Sequence, residues 1–123
     1  MSGKCHKSEI AIEGENLAVR YLIDQGYKIL ERNWRFSNFG EIDIIVHIDN
    51  TIAFVEVKTR TSDACGDPLE SITRTKQKQI MRLAEIYIQN TSLVGDPVFR
   101  FDAMSIVMGQ KPLINHLTDA FTL

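Results

Sequence analysis

The amino-acid sequence predicts an α/β or α+β domain, a mixed sheet flanked by helices. Three observations carry that prediction: two stretches whose apolar residues recur at helical spacing, two β-rich runs separated by only two residues, and an element order of α-β-β-β-α-β. With 123 residues, the chain is expected to form a single domain, 1–123.

Residues 8–25 read as the first helix. Ala11, Glu15, Ala18 and Leu22 fall on one side, with Leu17 and Tyr21 adjoining. Ser8 is the expected N-cap, and Gly26 stands just past the end, where a helix needs it. Gly14 is an interior flaw of about 1 kcal/mol against Ala, acceptable where another backbone comes close. Tyr27 to Trp34 suits a short strand, and Ser37-Asn38-Phe39-Gly40 a turn. Glu41 to Ile48 and Thr51 to Thr59 are the strong strand runs, with Asp49-Asn50 between them as a hairpin connection. Arg60 to Ser71 reads as a polar loop containing Gly66 and Asp67-Pro68. A second helix is expected from Thr73 to Asn90, with Ile80, Leu83, Ala84, Tyr87 and Ile88 on its apolar face. Asp96-Pro97 turns the chain into a strand near Val98 to Met108, and residues 113–121 hold one more short element.

Composition excludes several classes. At 44% hydrophobic and 24% charged residues with 3 prolines, the chain is neither disordered nor collagen-like. No apolar run approaches the roughly 18 residues of a membrane span. The first residues carry lysines without an apolar segment behind them, so no secretory leader and no membrane partner are expected. Cys5 and Cys65 form no C-x-x-C unit and read as free thiols of a reducing cytoplasm. There is no Gly-rich phosphate loop, no G-x-S-x-G and no zinc spacing; His6, His47 and His116 are scattered. A net charge of −2 argues against nucleic-acid binding by bulk charge, but not against a local basic patch.

The carboxylates are the informative residues. If Asp49-Asn50 is the turn, Ile48 faces Thr51, and continuing that register sets Asp43 opposite Glu56 and Glu41 opposite Lys58. Glu56 and Lys58 share a face, while Ile42, Ile44, Val46 and Ile48 lie on the other against Ala53, Val55 and Val57. Two opposed carboxylates repel, and a bound cation removes the repulsion. Mg²⁺ favours such oxygen ligands and keeps waters for a phosphate substrate. Lys58 would then stabilise charge on that phosphate or help deprotonate a water. Glu15 sits on the core-facing stripe of the first helix, where a carboxylate is costly unless paired or bound to a metal. Blander readings stand beside these. An E-x-K tripeptide is common, Glu41 and Lys58 could form a surface ion pair, and Glu15 could snorkel at the edge of the stripe. An odd-length loop would also move Glu56 to the opposite face.

Residues 58–82 carry Lys58, Arg60, Arg74, Lys76, Lys78 and Arg82 against Asp63, Asp67 and Glu70, a local surplus of +3. Several of these cations gather at the start of the second helix, where free N–H groups also favour phosphate. Lys76 and Gln77 extend the buried face toward the end of the sheet. Trp34, Arg35 and Phe36 could add stacking or phosphate contact, with Trp34 more at home in the core. The alternative is a solvated helix face.

An acidic helix residue, an Asp on the second strand and Glu-x-Lys on the third, in this order, resemble the PD-(D/E)XK nuclease superfamily, which includes restriction endonucleases and archaeal-type Holliday-junction resolvases. More closely, the chain resembles the YraN family of small bacterial endonuclease-like proteins. The matching stretches are Gly14-Glu15 with Ala18 and Tyr21-Leu22; Gly26-Tyr27; Asn33-Trp34-Arg35; Gly40-Glu41-Ile42-Asp43; Phe54-Val55-Glu56-Val57-Lys58-Thr59-Arg60; Lys76-Gln77; and Arg100-Phe101-Asp102. Ile42 stands where the superfamily's name has Pro.

The resemblance implies a restriction-endonuclease-like αβββαβ core. It implies that Asp43 and Glu56, with the Val57 carbonyl, hold Mg²⁺ or Mn²⁺, that Glu15 binds a metal or its water, and that Lys58 is the catalytic lysine. The expected activity is metal-dependent hydrolysis of phosphodiester bonds in nucleic acid, as a DNA endonuclease on structured or branched DNA. Arg35, Arg60, Arg74, Lys76, Gln77 and Lys78 would contact the nucleic acid, and a homodimer would suit paired cuts. The alternatives are a non-cleaving nucleic-acid-binding or repair/uptake partner module, and a structural protein with a vestigial acidic site.

Overall fold

The computed structural model describes residues 7–61 and 72–122. Cys5, His6, Cys65 and most of the expected loop 60–71 lie outside them. Two helices, α1 (Glu9–Asp24) and α2 (Arg74–Asn90), accompany strands β1 (Lys28–Arg35), β2 (Glu41–Ile48), β3 (Thr51–Arg60), β4 (Val98–Val107) and β5 (Leu113–Leu117). The tail element is thus a fifth strand. The sheet order is β1-β2-β3-β4-β5, with β3 and β4 parallel and the other neighbours antiparallel. This mixed sheet with two helices matches the αβββαβ core that the resemblance implies.

The helix ends follow local chemistry. The Ser8 hydroxyl accepts the Ala11 N–H at 3.1 Å, and Gly26 leaves α1 at φ 97°, a conformation that favours glycine. Thr73 caps α2 by accepting the Lys76 N–H at 3.1 Å. Each helix covers its own face of the sheet. Ala18 and Leu22 of α1 pack with Ile44, Val46, Ala53, Val55, Met104 and Ile106. Leu83, Ala84 and Tyr87 of α2 pack with Ile42, Ile45, Ile52 and Phe54.

The β2–β3 register runs from Ile48↔Thr51 to Ile44↔Val55, as the two-residue turn predicts, and stops there. The expected continuation to Asp43 opposite Glu56 and Glu41 opposite Lys58 is not laddered. A second departure accompanies the fork. Ile44 packs under α1 whereas Ile42 packs under α2, although residues two apart on a regular strand share a face. Strand β2 therefore turns over at Asp43. Across from it on β1, between the pairs Arg32↔Ile44 and Trp34↔Ile42, Asn33 has φ 52°, so β1 turns over at the same level. The expectation that Ile42 shares the face of Ile44 fails because both strands twist there.

Gly14 has a close neighbour, but it is a side chain rather than the expected backbone. A Cβ on Gly14 would lie 2.6 Å from Thr59 Cγ2, 2.8 Å from Thr59 Cβ, and closer still to Thr59 Oγ1. α1 thus rests directly on the end of β3.

A polar cluster surrounds Asp102 on β4. Asp102 is fully buried, and Arg100 donates to both of its oxygens at 2.8 Å. His116 Nε2 lies 2.9 Å away, the Asp119 N–H donates at 3.0 Å, and Arg100 reaches the Tyr27 hydroxyl at 2.7 Å. This clasp joins β4 to β5 and to the α1–β1 connection. Burial alone would raise the Asp102 pKa; His116, Arg100 and the Asp119 N–H outweigh it and hold the group below its ordinary value. Arg100-Phe101-Asp102, quoted above among the matching stretches, thus serves here to tie elements together.

Gly14→Ala should lower stability by about 1–3 kcal/mol through overpacking. Thr59→Ala in the same chain should restore part of the loss, because it removes two of the three clashing atoms. Denaturant titration of the four chains of this cycle checks the coupling.

Candidate functional site

Where β2 and β3 part, the Asp43 carboxylate takes over from the backbone ladder: its Oδ2 accepts the Val57 N–H at 2.8 Å. The fork opens a cleft of about 280 Å³ lined by Lys7, Glu15, Asp43, Glu56, Val57 and Lys58, among others. Five sequence-nominated residues, Glu15, Asp43, Glu56, Val57 and Lys58, therefore meet in one place. Gly14 brings Glu15 there by letting α1 settle against β3, and the reversal of β2 brings Asp43.

Glu15, Asp43 and Glu56 are all buried. Carboxylate oxygens of Glu15, Glu41 and Asp43 lie within 4.8 Å of one another, an oxygen-only donor set. Sequence reasoning missed Glu41 as a member, having paired it with Lys58. Glu41 instead accepts from Arg35 of β1 at 2.6 Å, because the β2–β3 ladder that would have carried the Lys58 pair ends three residues earlier.

Lys7 was also missed. Its ammonium contacts Glu15 directly and lies 3.0 Å from both Glu41 and Asp43. The only signal in the sequence was its place next to the cap of α1. Lys7 supplies, within the chain, part of the positive charge that three converging carboxylates demand. Burial alone would lower its pKa; Asp43 and Glu41 outweigh that and raise it. For Glu41, burial acts upward, but Lys7 and Arg35 hold it below the ordinary carboxylate range.

Glu56 is treated differently. Burial, and next the negative charge of Asp43, push its pKa up to about 8 against the opposing pull of Lys76 and Lys58. Lys76 Nζ stands 3.9 Å from its Oε2. Among the described residues, Glu56 Oε1 is the one buried side-chain oxygen or nitrogen with no hydrogen-bond partner. Such an orphan in a polar cleft calls for a ligand.

Two of the nominated cations reach this cleft through its carboxylates. Arg35 reaches it through Glu41 and Lys76 through Glu56. Arg32, not nominated, approaches Glu15 at 3.9 Å and donates to Asn16 at 2.8 Å. Arg74 and Lys78 are exposed on the first turns of α2, and Arg60 is half-buried at the end of β3. Gln77 is buried, its amide donating to the Ile72 carbonyl at 3.0 Å, so it secures the start of α2. Asp63, Asp67 and Glu70 of the basic stretch fall outside the described residues.

The profile of the Uncharacterised protein family UPF0102 matches residues 14–106, a span that contains Glu15, Asp43, Glu56 and Lys58. The chain belongs to the UPF0102 family. A UPF0102 protein of Geobacter metallireducens is 45% identical over 119 residues, covering 96% of each chain. One of Rhodococcus opacus is 41% identical over 118 residues, covering 94% of this chain and 98% of its own. One of Clostridioides difficile is 44% identical over 108 residues, covering 88% and 92%. This UPF0102 membership bears out the YraN resemblance read from the sequence.

In this UPF0102 chain, the raised pKa of Glu56 sets a pH dependence. Between about pH 4.5 and pH 8, the folded chain holds a proton that the unfolded chain has released, so stability falls as pH rises through that window. In chelator, the Tm should fall by roughly 5 °C or more across it, and Glu56→Gln should flatten the profile; scanning calorimetry reads both. Lys7→Ala would remove an ammonium that any cation entering the carboxylate cluster must displace. Mn²⁺ titrated into that variant should therefore bind at least about tenfold more tightly than into the native chain at neutral pH, as measured by isothermal titration.

Proposed function

We propose that this UPF0102 protein is a metal-dependent phosphodiesterase of the PD-(D/E)XK type, a DNA endonuclease acting on structured or branched DNA in the cytoplasm. The observation that carries the reading is Glu56: a buried carboxylate with an unpartnered oxygen, beside Asp43, in the lining of a cleft that Lys7 and Lys58 share. A chain built for stability alone would have paired it, as it pairs Asp102.

The donor chemistry fits a hard divalent cation. Glu15, Asp43 and Glu56, with the Val57 carbonyl, would hold Mg²⁺ or Mn²⁺, which favour oxygen ligands, and Glu41 is placed to join them. Such a cation, when bound, polarises a phosphate oxygen and acidifies a coordinated water. Lys58, which lines the same cleft, offsets the charge that builds on the phosphate oxygens. Arg35 and Lys76 flank the carboxylates, where they would hold neighbouring phosphates and orient the strand. No described helix is long and apolar enough to cross a membrane.

One observation favours a second reading, a nucleic-acid-binding module that does not cut. Lys7 contacts Glu15, Glu41 and Asp43 and Arg35 pairs Glu41, so much of the cluster's charge is offset without a metal.

Cleavage of single-stranded, duplex, flap and four-way-junction DNA with Mg²⁺ or Mn²⁺ separates the two readings. Turnover that falls at least ~100-fold in Glu56→Ala and in Lys58→Ala supports the nuclease. Salt-sensitive binding with no turnover on any substrate, in the native chain and in Lys7→Ala alike, supports the binding module.

A further inference from the structure

Beside the cleft, the β1–β2 turn carries an aromatic pair that the core does not use. The rings of Phe36 and Phe39 lie nearly parallel, 10° apart with centroids 6.2 Å apart. They are 39% and 45% exposed, and neither belongs to a core cluster. Trp34 stacks behind Phe36 at 6.4 Å and 21° and is anchored edge-on against Tyr87 at 5.3 Å. The turn is fixed: the Phe39 N–H donates to the Phe36 carbonyl at 3.1 Å, and the Gln79 side chain of α2 donates to the Phe39 carbonyl. The Arg82 guanidinium lies 5.6 Å from the Phe39 ring centroid. The result is a partly exposed apolar step, with Trp34 against Phe36 at one end and Arg82 over the Phe39 ring at the other.

The step is continuous with the acidic cleft. Lys76, Gln79 and Arg82 follow one another at i, i+3 and i+6, a single ridge of α2. Its Lys76 end reaches Glu56 and its Arg82 end reaches Phe39. Six residues of helix span about 9 Å, the length of two to three stacked nucleotides at roughly 3.4 Å each. On the opposite side, Arg35 precedes Phe36 and binds Glu41 of the carboxylate cluster.

We propose that Phe36 and Phe39 form a stacking platform for an unpaired nucleobase, and that the substrate is therefore nucleic acid with a single-stranded segment at the cut. The proposal rests on the nucleic-acid reading above and supplies its substrate class. Bases inside a duplex already have both faces covered by their neighbours, so the rings offer them nothing. A base in a flap, gap or free strand has an open face, and stacking accepts any base because each has a π-face. The cationic ridge holds the phosphates that lead from the platform to the cleft.

The test is binding, measured by fluorescence anisotropy in chelator so that it does not depend on cleavage. The probes are a short labelled single strand and a duplex carrying the same number of phosphates. Phe36→Ala and Phe39→Ala should each weaken single-strand binding roughly tenfold or more while leaving duplex binding unchanged, and Phe39→Tyr should retain it. The single strand should quench Trp34, the sole tryptophan, and the duplex should not. If either alanine chain fails to fold, the native chain is tested against a strand of abasic residues with the same charge, which should bind roughly tenfold more weakly. Equal binding of the abasic strand, unchanged single-strand binding in the variants, or an equal loss for both probes overturns the proposal. So does a dimer that dissociates in the variants with binding unaltered, which would make the step a self-association surface. A chain that shows this discrimination but never cuts overturns the nuclease reading and leaves the platform standing. A chain that cuts and ignores Phe36 and Phe39 does the reverse.

Discussion

The closeness of α1 to the end of β3 is the constraint on which the site depends. A helix can lie that near a strand only where one of its residues presents no side chain, and Gly14 is that residue against Thr59. The next residue is Glu15, so the contact that seats the helix also fixes its carboxylate over the fork between β2 and β3. Any side chain at position 14 would push the helix outward and carry Glu15 away from Asp43. The cost of a glycine inside a helix, about 1 kcal/mol, is small beside burying a carboxylate in the wrong place.

Gathering carboxylates in a buried cleft raises an electrostatic problem, and the fold solves it in two ways. At Asp102, every oxygen is used: a two-pronged arginine, a histidine and a backbone N–H surround it, and the carboxylate stays charged. At the fork the compensation is partial. Lys7 and Arg35 neutralise Glu41 and its neighbours, while Glu56 is left to carry a proton, with one oxygen unpartnered. Both clusters are built of the same residue types. A closed cluster of this kind contributes to stability, and an open one leaves room for something that is not part of the chain.

Much of this was legible in the sequence, because the rules that govern it are local. The two-residue turn at Asp49-Asn50 sets the β2–β3 register, helical periodicity places Glu15 on the inner stripe, and Ser8 and Gly26 mark the helix ends. The errors share one origin. Extending the period-2 alternation of β2 back through Asp43 put Ile42 on the wrong face and set Glu41 against Lys58. The alternation breaks where Asn33, at φ 52°, and Asp43 turn both strands over, and nothing in the composition of either strand announces that reversal. Lys7 was illegible for a different reason: its partners lie far along the chain, and a lysine one residue before a cap carries no pattern of its own. Gln77 was nominated for nucleic-acid contact because it stands among cations, yet the same periodicity that set it on the buried face, one turn before Ile80 and Met81, describes where it lies.

The same reversal explains how the sheet can hold an open acidic cleft at all. Strands that remain paired spend every backbone donor and acceptor on one another and press their side chains into the two cores. By ending the β2–β3 ladder at Ile44 and Val55, the fold frees the Val57 N–H for Asp43 and opens a gap between two strands that are still anchored below it. Hydrophobic packing on both faces, from Ala18 and Leu22 on one side and Leu83 and Tyr87 on the other, keeps the strands rigid up to the point where they part. The net charge of −2 therefore misdirects as a global figure. Several of the acids converge inside the fork, while Arg32, Arg35, Lys58 and Lys76 stand around it.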